Sequence, residues 1–415
     1  MTESAERHPA PPELAGLKER YRRNLEESVL PFWLQHSVDT EHGGYVCCLT
    51  RDGSVFDTDK FGWLQGRGVW MFSRLFTSWR AEPAWLEYAR QGVRFMKAHG
   101  RNADGDWYFA MDRAGRPLVE AYNIFSDCFA AAGLAAYSRA AGDEEARKIA
   151  AGTYARIQQR KSNPKGRFTK QIGANRPIIA MAFPMIQVWL AQEMGDLVEP
   201  AVRDGYLGEA IAQVMNLHVD RSRRAVFERV FADGSHPDCM EGRLLTPGHA
   251  LEVLWFILRA VETLPPGSGA LGPLRRQEVV DLATEAMLWT AERGWDAVYG
   301  GLYYYLDAEG LPPEKLEWDM KLWWVHAEAL CAFLLAYKLT GRAVFWEWFR
   351  RVDDYVWSHF DDPSYGEWFG YLHRSGEPST TQKGGKWKGC FHVPRALMTC
   401  VRFFDEMERA RGGTP

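Results

Sequence analysis

Two histidines stand where a helix is expected to begin, and they are the residues best suited to chemistry. His249 lies in Arg243-Leu244-Leu245-Thr246-Pro247-Gly248-His249-Ala250-Leu251-Glu252, and His392 lies near the end of the glycine- and lysine-rich stretch from Lys383 to Arg395. Each has a proline close by, Pro247 and Pro394, and proline suits the first turn of a helix. Imidazole titrates near neutrality, so such a pair fits general acid–base work. Glu252 follows His249 by three residues and shares its helix face, where it is expected to orient the imidazole. Two histidines at two helix mouths, far apart in sequence, predict one site closed by a ring of helices.

Further polar residues interrupt apolar runs: Arg67, Asn123, Asp127, Glu317, Asp319, Lys321, His326 and Arg395. Ionisable groups are rarely buried unless paired, so these are candidates for the same site. Each also has a plainer reading. His326 fits a core histidine bonded to a neighbour, Asp127 a helix-start acceptor, and Arg67 an ion-pair partner of Glu252 or Glu317. No metal site is expected, because H-x-x-x-H, H-E-x-x-H and clustered cysteines are all absent. Cys390 lies too close to His392 along the chain for the two to converge. Nucleotide-loop and serine-hydrolase motifs are missing as well.

The elements that must position these residues recur. Aromatic-rich short strands lead into tight turns whose glycines are Gly53, Gly115, Gly234, Gly310 and Gly376, which is hairpin chemistry. The spacing implies about six units, with a degenerate one at 165–173. Between the hairpins the apolar spacing predicts helices over 14–30, 63–79, 83–98, 124–140, 144–160 and 177–193. It predicts six more over 201–217, 247–263, 276–292, 318–339, 343–359 and 393–409. Twelve helices in six pairs imply an all-α (α/α)6 barrel with short β-hairpins in its connections, and an open solenoid is the alternative. No linker divides the 415 residues, so one domain is expected, with residues 1–13 as a flexible tail.

The net charge of −4 offers no basic field for nucleic acid. Seven scattered cysteines fit reduced thiols and a cytoplasmic setting. The first residues show no signal pattern. The most apolar stretch, 177–190, is too short and too polar for a membrane span. The 56 aromatic residues suit a sugar cleft or simply a large helical core.

Several stretches resemble the N-acylglucosamine 2-epimerase family, which includes the renin-binding proteins. They are Arg243 to His249, Glu317-Trp318-Asp319-Met320-Lys321-Leu322-Trp323-Trp324-Val325-His326 and Lys383 to Arg395. Asp57 to Phe61, Tyr122 to Phe129 and Tyr365 to Tyr371 are also similar. The resemblance implies the (α/α)6 barrel, a homodimer, and interconversion of N-acetyl-D-glucosamine and N-acetyl-D-mannosamine without a consumed cofactor. It places the catalytic histidines at His249 and His392, and cleft residues at Arg67, Glu252 and Glu317. A 2-epimerase removes the C2 proton of the open-chain sugar and returns it to the other face, through an enediolate. Arg67 is the expected partner of the enediolate oxygen. The basic stretch 160–170 resembles the family loop associated with ATP as an activator, and Lys161, Asn163, Lys165, Arg167 and Lys170 are its candidate contacts. Competing readings are an aldose–ketose isomerase or 2-epimerase acting on free mannose or glucose, a glycoside hydrolase using Glu252 and Glu317, and a non-catalytic binding module.

Overall fold

The computed structural model describes residues 9–170, 172–265, 268–272 and 274–412. Its first helix, α1, covers Pro11–Asn24, continues through a π-helical turn at Leu25–Val29 and ends with Leu30–His36. Then follow α2 (Gly62–Ser78), α3 (Pro83–His99), α4 (Phe125–Ala141), α5 (Glu144–Arg160) and α6 (Ala182–Met194). The rest are α7 (Pro200–Gln213), α8 (Pro247–Thr263), α9 (Arg276–Gly294), α10 (Trp323–Thr340), α11 (Ala343–His359) and α12 (His392–Gly412). These are the twelve expected runs.

Three helix starts move by three residues or more, each for a visible reason. Helix α1 starts at Pro11, because prolines occupy its first turn and Leu14, Leu17 and Tyr21 are buried. The expected tail is therefore shorter than residues 1–13; residues 1–8 lie outside the described residues. Helix α6 starts later than 177 because Ile179–Ala180 is drawn into a pair with Arg229–Val230. Helix α10 starts later than 318 because Lys321–Leu322 pairs with Tyr371–Leu372.

The even-numbered helices form an inner ring in which α2 packs on α4, α4 on α6, α6 on α8, α8 on α10 and α10 on α12. Phe391, at the mouth of α12, lies 5.3 Å from Trp70 of α2 between ring centroids and closes the circle. The first helix, α1, packs on the last, α12. The ring is thus a barrel, and the open solenoid is excluded. Inner helices are buried nearly all round; α10 has no exposed position from Trp323 to Tyr337. One apolar cluster runs through them. Where α2 crosses α4 the backbones touch: a Cβ at Gly66 would lie 2.4 Å from the Phe129 carbonyl oxygen. Only glycine permits that approach.

The five turn glycines all adopt left-handed φ angles, 85°, 93°, 82°, 77° and 95° in chain order. Local hairpins form around Gly53, Gly115 and Gly376. Around Gly310 the expected hairpin does not form locally; Leu306–Asp307 pairs instead with Leu244–Leu245 of the preceding unit. In the degenerate unit the described residues show a 3₁₀ turn, Gly166–Phe168.

A charge clamp recurs between units. Asp39, Asp296 and Asp362 each follow an outer helix. Asp39 accepts from Lys60 at 2.9 Å and from Arg113 at 3.0 Å. Asp296 accepts from Lys321 at 3.2 Å and from Arg374 at 2.8 Å. Asp362 accepts from Arg51 at 2.8 Å and pairs with Lys383 at 2.8 Å. Each lysine precedes an inner helix, and each arginine sits on a hairpin turn and reaches back one unit. Arg51 of the first unit therefore clamps Asp362 of the last. Burial disfavours the Asp362 carboxylate, but the Arg51 and Lys383 bonds outweigh it and hold its pKa at about 2.

Candidate active site

The first turns of all six inner helices converge on one end of the barrel and line a cavity of about 770 Å³. Trp63 and Arg67 come from α2, Phe129 from α4, Met185 from α6, His249 and Glu252 from α8, Trp324 from α10 and His392 from α12. Helix N-termini carry partial positive charge, so the cleft favours developing anions.

His392 is held from behind. Its Nδ1 lies 2.8 Å from Glu328 Oε1. A carboxylate only accepts, so Nδ1 carries the proton and Nε2 is left as a base. Burial, with Arg67 and Arg395 nearby, pushes its pKa well below the ordinary value. Arg395 donates to Glu328 at 2.5 Å and to Glu252 at 2.9 Å, and Trp255 donates to Glu328 at 2.9 Å.

His249 sits across Trp324, whose ring centroid is 5.2 Å from His249 and 6.0 Å from His392. Its Nδ1 lies 3.1 Å from Glu228 Oε2, which leaves Nε2 for the cleft. Burial opposes its charge, but Glu228 outweighs that and raises its pKa. The two imidazoles are therefore poised oppositely, His392 favoured as the neutral base and His249 favoured in its protonated form.

Among the described residues Arg67 makes no ion pair. Its guanidinium is boxed by Phe129, Trp63 and Phe391, with centroids at 4.1, 4.4 and 4.6 Å. Its buried Nε has no partner, and burial lowers its pKa to about 9. A cation held by aromatic faces keeps its donors for a ligand.

The profile described as N-acylglucosamine 2-epimerase (GlcNAc 2-epimerase) matches residues 43–396. This chain belongs to the N-acylglucosamine 2-epimerase family. It is 39% identical over 400 residues to the N-acylglucosamine 2-epimerase of Bos taurus, covering 95% of this chain and 92% of the relative. It is 38% identical over 396 residues to that of Homo sapiens, covering 93% and 90%. Among solved structures, the cellobiose 2-epimerase of Spirochaeta thermophila superposes with a TM-score of 0.80 at 24% identity, over 96% of this chain and 98% of that one. A D-mannose isomerase superposes at 0.75 with 16% identity, over 95% and 100%. These two similarities speak to the shared barrel.

Within this family member the expected residues divide. Asn123 lines the cleft while its Oδ1 accepts the Phe125 N–H at 3.0 Å. Glu317 lines it from an exposed loop. Glu252 lines it too, but it is bonded to Arg395 and does not orient His249; Glu228 does. Arg395 lies behind the histidines and is absent from the cleft lining.

Lys321 is no cleft residue: it is fully buried on Asp296 in the clamp, and burial lowers its pKa to about 8. His326 is a core residue. Its Nε2 accepts the Leu302 N–H at 2.9 Å, and its Nδ1 donates to the Leu322 carbonyl at 2.8 Å. Burial lowers its pKa to about 3. Replacing His326 by Gln is expected to leave turnover unchanged while costing about 1–3 kcal/mol of stability. Parallel rate measurements and urea unfolding check this; a large rate loss in a stable variant would return His326 to the site.

Asp127 faces Arg160 at 3.3 Å, outside the cleft lining. In the basic loop Lys161 pairs with Glu209 and Arg167 with Glu120, Asn163 and Lys170 are exposed, and Lys165 reaches the cleft.

Glu328 and Glu228 were not expected as site residues. Glu328 had a signal, a lone carboxylate in an apolar helix that demands a partner. Glu228 had none, lying in the bend between Ala225–Val226 and Arg229–Val230. Glu252, Glu328 and His392 offer ligand atoms within 4.8 Å of one another, but the Arg395 guanidinium already bridges the two carboxylates where a metal ion would have to sit.

Proposed function

We propose that this protein interconverts N-acetyl-D-glucosamine and N-acetyl-D-mannosamine by proton transfer at C2. The oppositely poised His392 and His249 on one cleft carry this reading. His392 Nε2 takes the C2 proton of the open-chain aldehyde, the C–H electron pair becomes the C1–C2 double bond, and the C1–O1 π pair moves onto O1. Nitrogen at C2 makes the intermediate an amido-enolate. Arg67 and the helix N-termini stabilise the oxygen. His249 delivers its proton to the opposite face of C2, and the two imidazoles exchange roles for the reverse reaction.

Incubation with N-acetyl-D-glucosamine, N-acetyl-D-mannosamine, glucose and mannose separately, followed by chromatography, tests this. Conversion confined to the N-acetylated pair is expected; a ketose product, or turnover of free mannose alone, overturns it. The hydrolase reading is weaker because Glu252 is tied to Arg395 at 2.9 Å instead of standing free to flank a glycosidic bond.

The pH dependence follows from the two shifts. Below a value under 6.5, His392 is protonated and stops acting as base. Above a value over 6.5, His249 loses the proton it must deliver. A plot of kcat/KM against pH is expected to be bell-shaped with limbs on either side of 6.5. A single limb would remove one histidine from the mechanism.

A homodimer in a reducing, cytoplasmic setting completes the proposal, supported by the family and by seven free cysteines. Among the described residues no helix is long and apolar enough to cross a membrane. ATP is proposed as an activator that is not consumed, acting at the loop of Lys161, Asn163, Lys165, Arg167 and Lys170. ATP is expected to raise activity in the wild type and to lose that effect in Lys161→Ala/Lys170→Ala. No ATP response in either protein ends the idea.

A further inference from the structure

The barrel has a second cavity, at its other end. It measures about 810 Å³ and is lined by the C-terminal halves of α2, α6 and α8, by α12 from Arg395 to Arg409, and by Arg22 and Glu26 of α1. Its inner part is aromatic, with Trp70, Trp189, Trp255 and Phe256, and arginines dominate the rest. Seven arginines line it against three acidic residues. Arg74, Arg259 and Arg402 come from three different helices and act on one another. Burial first, and then the charge of Arg259 and of Arg74, lower the pKa of Arg402 despite Glu406.

The partners of these arginines leave donors over. Arg74 reaches Glu193 at 3.2 Å through one Nη, and Arg259 is held by Glu262 through one Nη. Arg402 has its nearest acid, Glu406, 3.7 Å from Nε, too far for a hydrogen bond. Deeper in, Arg395 lines the cavity with a side chain 4% exposed and a buried Nε that has no partner. Arginines in a last helical turn can simply complement the helix dipole. Arg74 and Arg259 lie just short of the last turns of α2 and α8, so that effect accounts for neither of them. Nor does it account for Arg402, which lies mid-helix, or for the unpaired Nε of Arg395.

We propose that this cavity binds a small, multiply charged oxyanion of the phosphate class, held chiefly by Arg74, Arg259 and Arg402. Guanidinium forks match such oxygens two at a time. A bound anion also relieves repulsion among the three cations. The site is distinct from the sugar cleft and from the basic loop at 160–170.

Inorganic pyrophosphate is the probe, titrated calorimetrically with ionic strength held constant by sodium chloride. One saturable site per chain is expected, with a rise in melting temperature. Arg259→Gln/Arg402→Gln should weaken binding at least about tenfold, the loss of charge-assisted bonds, while Lys161→Ala/Lys170→Ala binds as wild type. Arg402→Lys keeps the charge and loses the fork; it should also bind more weakly, and it serves should the double variant not fold. Absence of saturable binding, binding indifferent to the arginine variants, or binding lost in the loop variant overturns the proposal.

Discussion

Replacement of His392 or of His249 by asparagine is expected to abolish net epimerisation, with a fall of at least about 10²–10⁴-fold. Inversion needs a proton removed from one face and another delivered to the opposite face, so neither imidazole substitutes for the other. In D2O the two variants should part company. His249→Asn keeps the base on Glu328, so one epimer exchanges its C2 proton for deuterium and returns uninverted. His392→Asn should show the mirror preference, exchanging the other epimer. Proton NMR of the C2 position reads both. Circular dichroism must show the barrel intact, because each histidine begins an inner helix. More than about a tenth of wild-type activity in either variant exceeds what loss of such a group allows and defeats the two-base mechanism.

The second large effect is on stability. Asp362→Ala is expected to cost about 3–5 kcal/mol, the range for stranding one partner of a buried ion pair. Lys383 is fully buried, and among the described residues Asp362 is its only carboxylate at ion-pair distance. Arg51 would lose both of its bonds to the same residue. Asp52→Ala, on the exposed turn next to Arg51, should stay within about 0.5 kcal/mol. Equal losses in denaturant unfolding of the two variants would show that the clamp does not hold the ring closed.

The same clamps explain what the sequence hid. The turn glycines were legible because a left-handed φ leaves a residue-type signature, and the helices because burial of one or all faces leaves a period. The two histidines stood out at proline-marked helix starts. Lys321 looked like a cleft residue for a sound reason, since a lysine beside two tryptophans is costly without a partner. Its partner, Asp296, lies in another segment, and nothing local to Lys321 names it. Glu252 was assigned to His249 by helix spacing, which shows what shares a face but not which neighbour across the barrel competes for it; Arg395 does. Glu228 reaches His249 from the bend before Arg229–Val230, which is held by pairing with Ile179–Ala180 ahead of α6. In each case the missing information was a contact between units.

The packing of α1 on α12 sets an order on folding. Lys18 bonds Asp405 at 3.1 Å, 387 residues further along the chain. During synthesis Leu14, Leu17, Tyr21 and Leu25 of α1 must wait for their final partners until almost the whole barrel has been made. Each intermediate unit meanwhile packs on the one before it, so contacts are local until the last step and very distant at that step. A nascent chain stalled before α12 would present a curved, unfinished ring with an apolar edge at both ends. Such an edge pairs readily with a second unfinished ring, which makes the last helix the point where this protein is most exposed to misassembly.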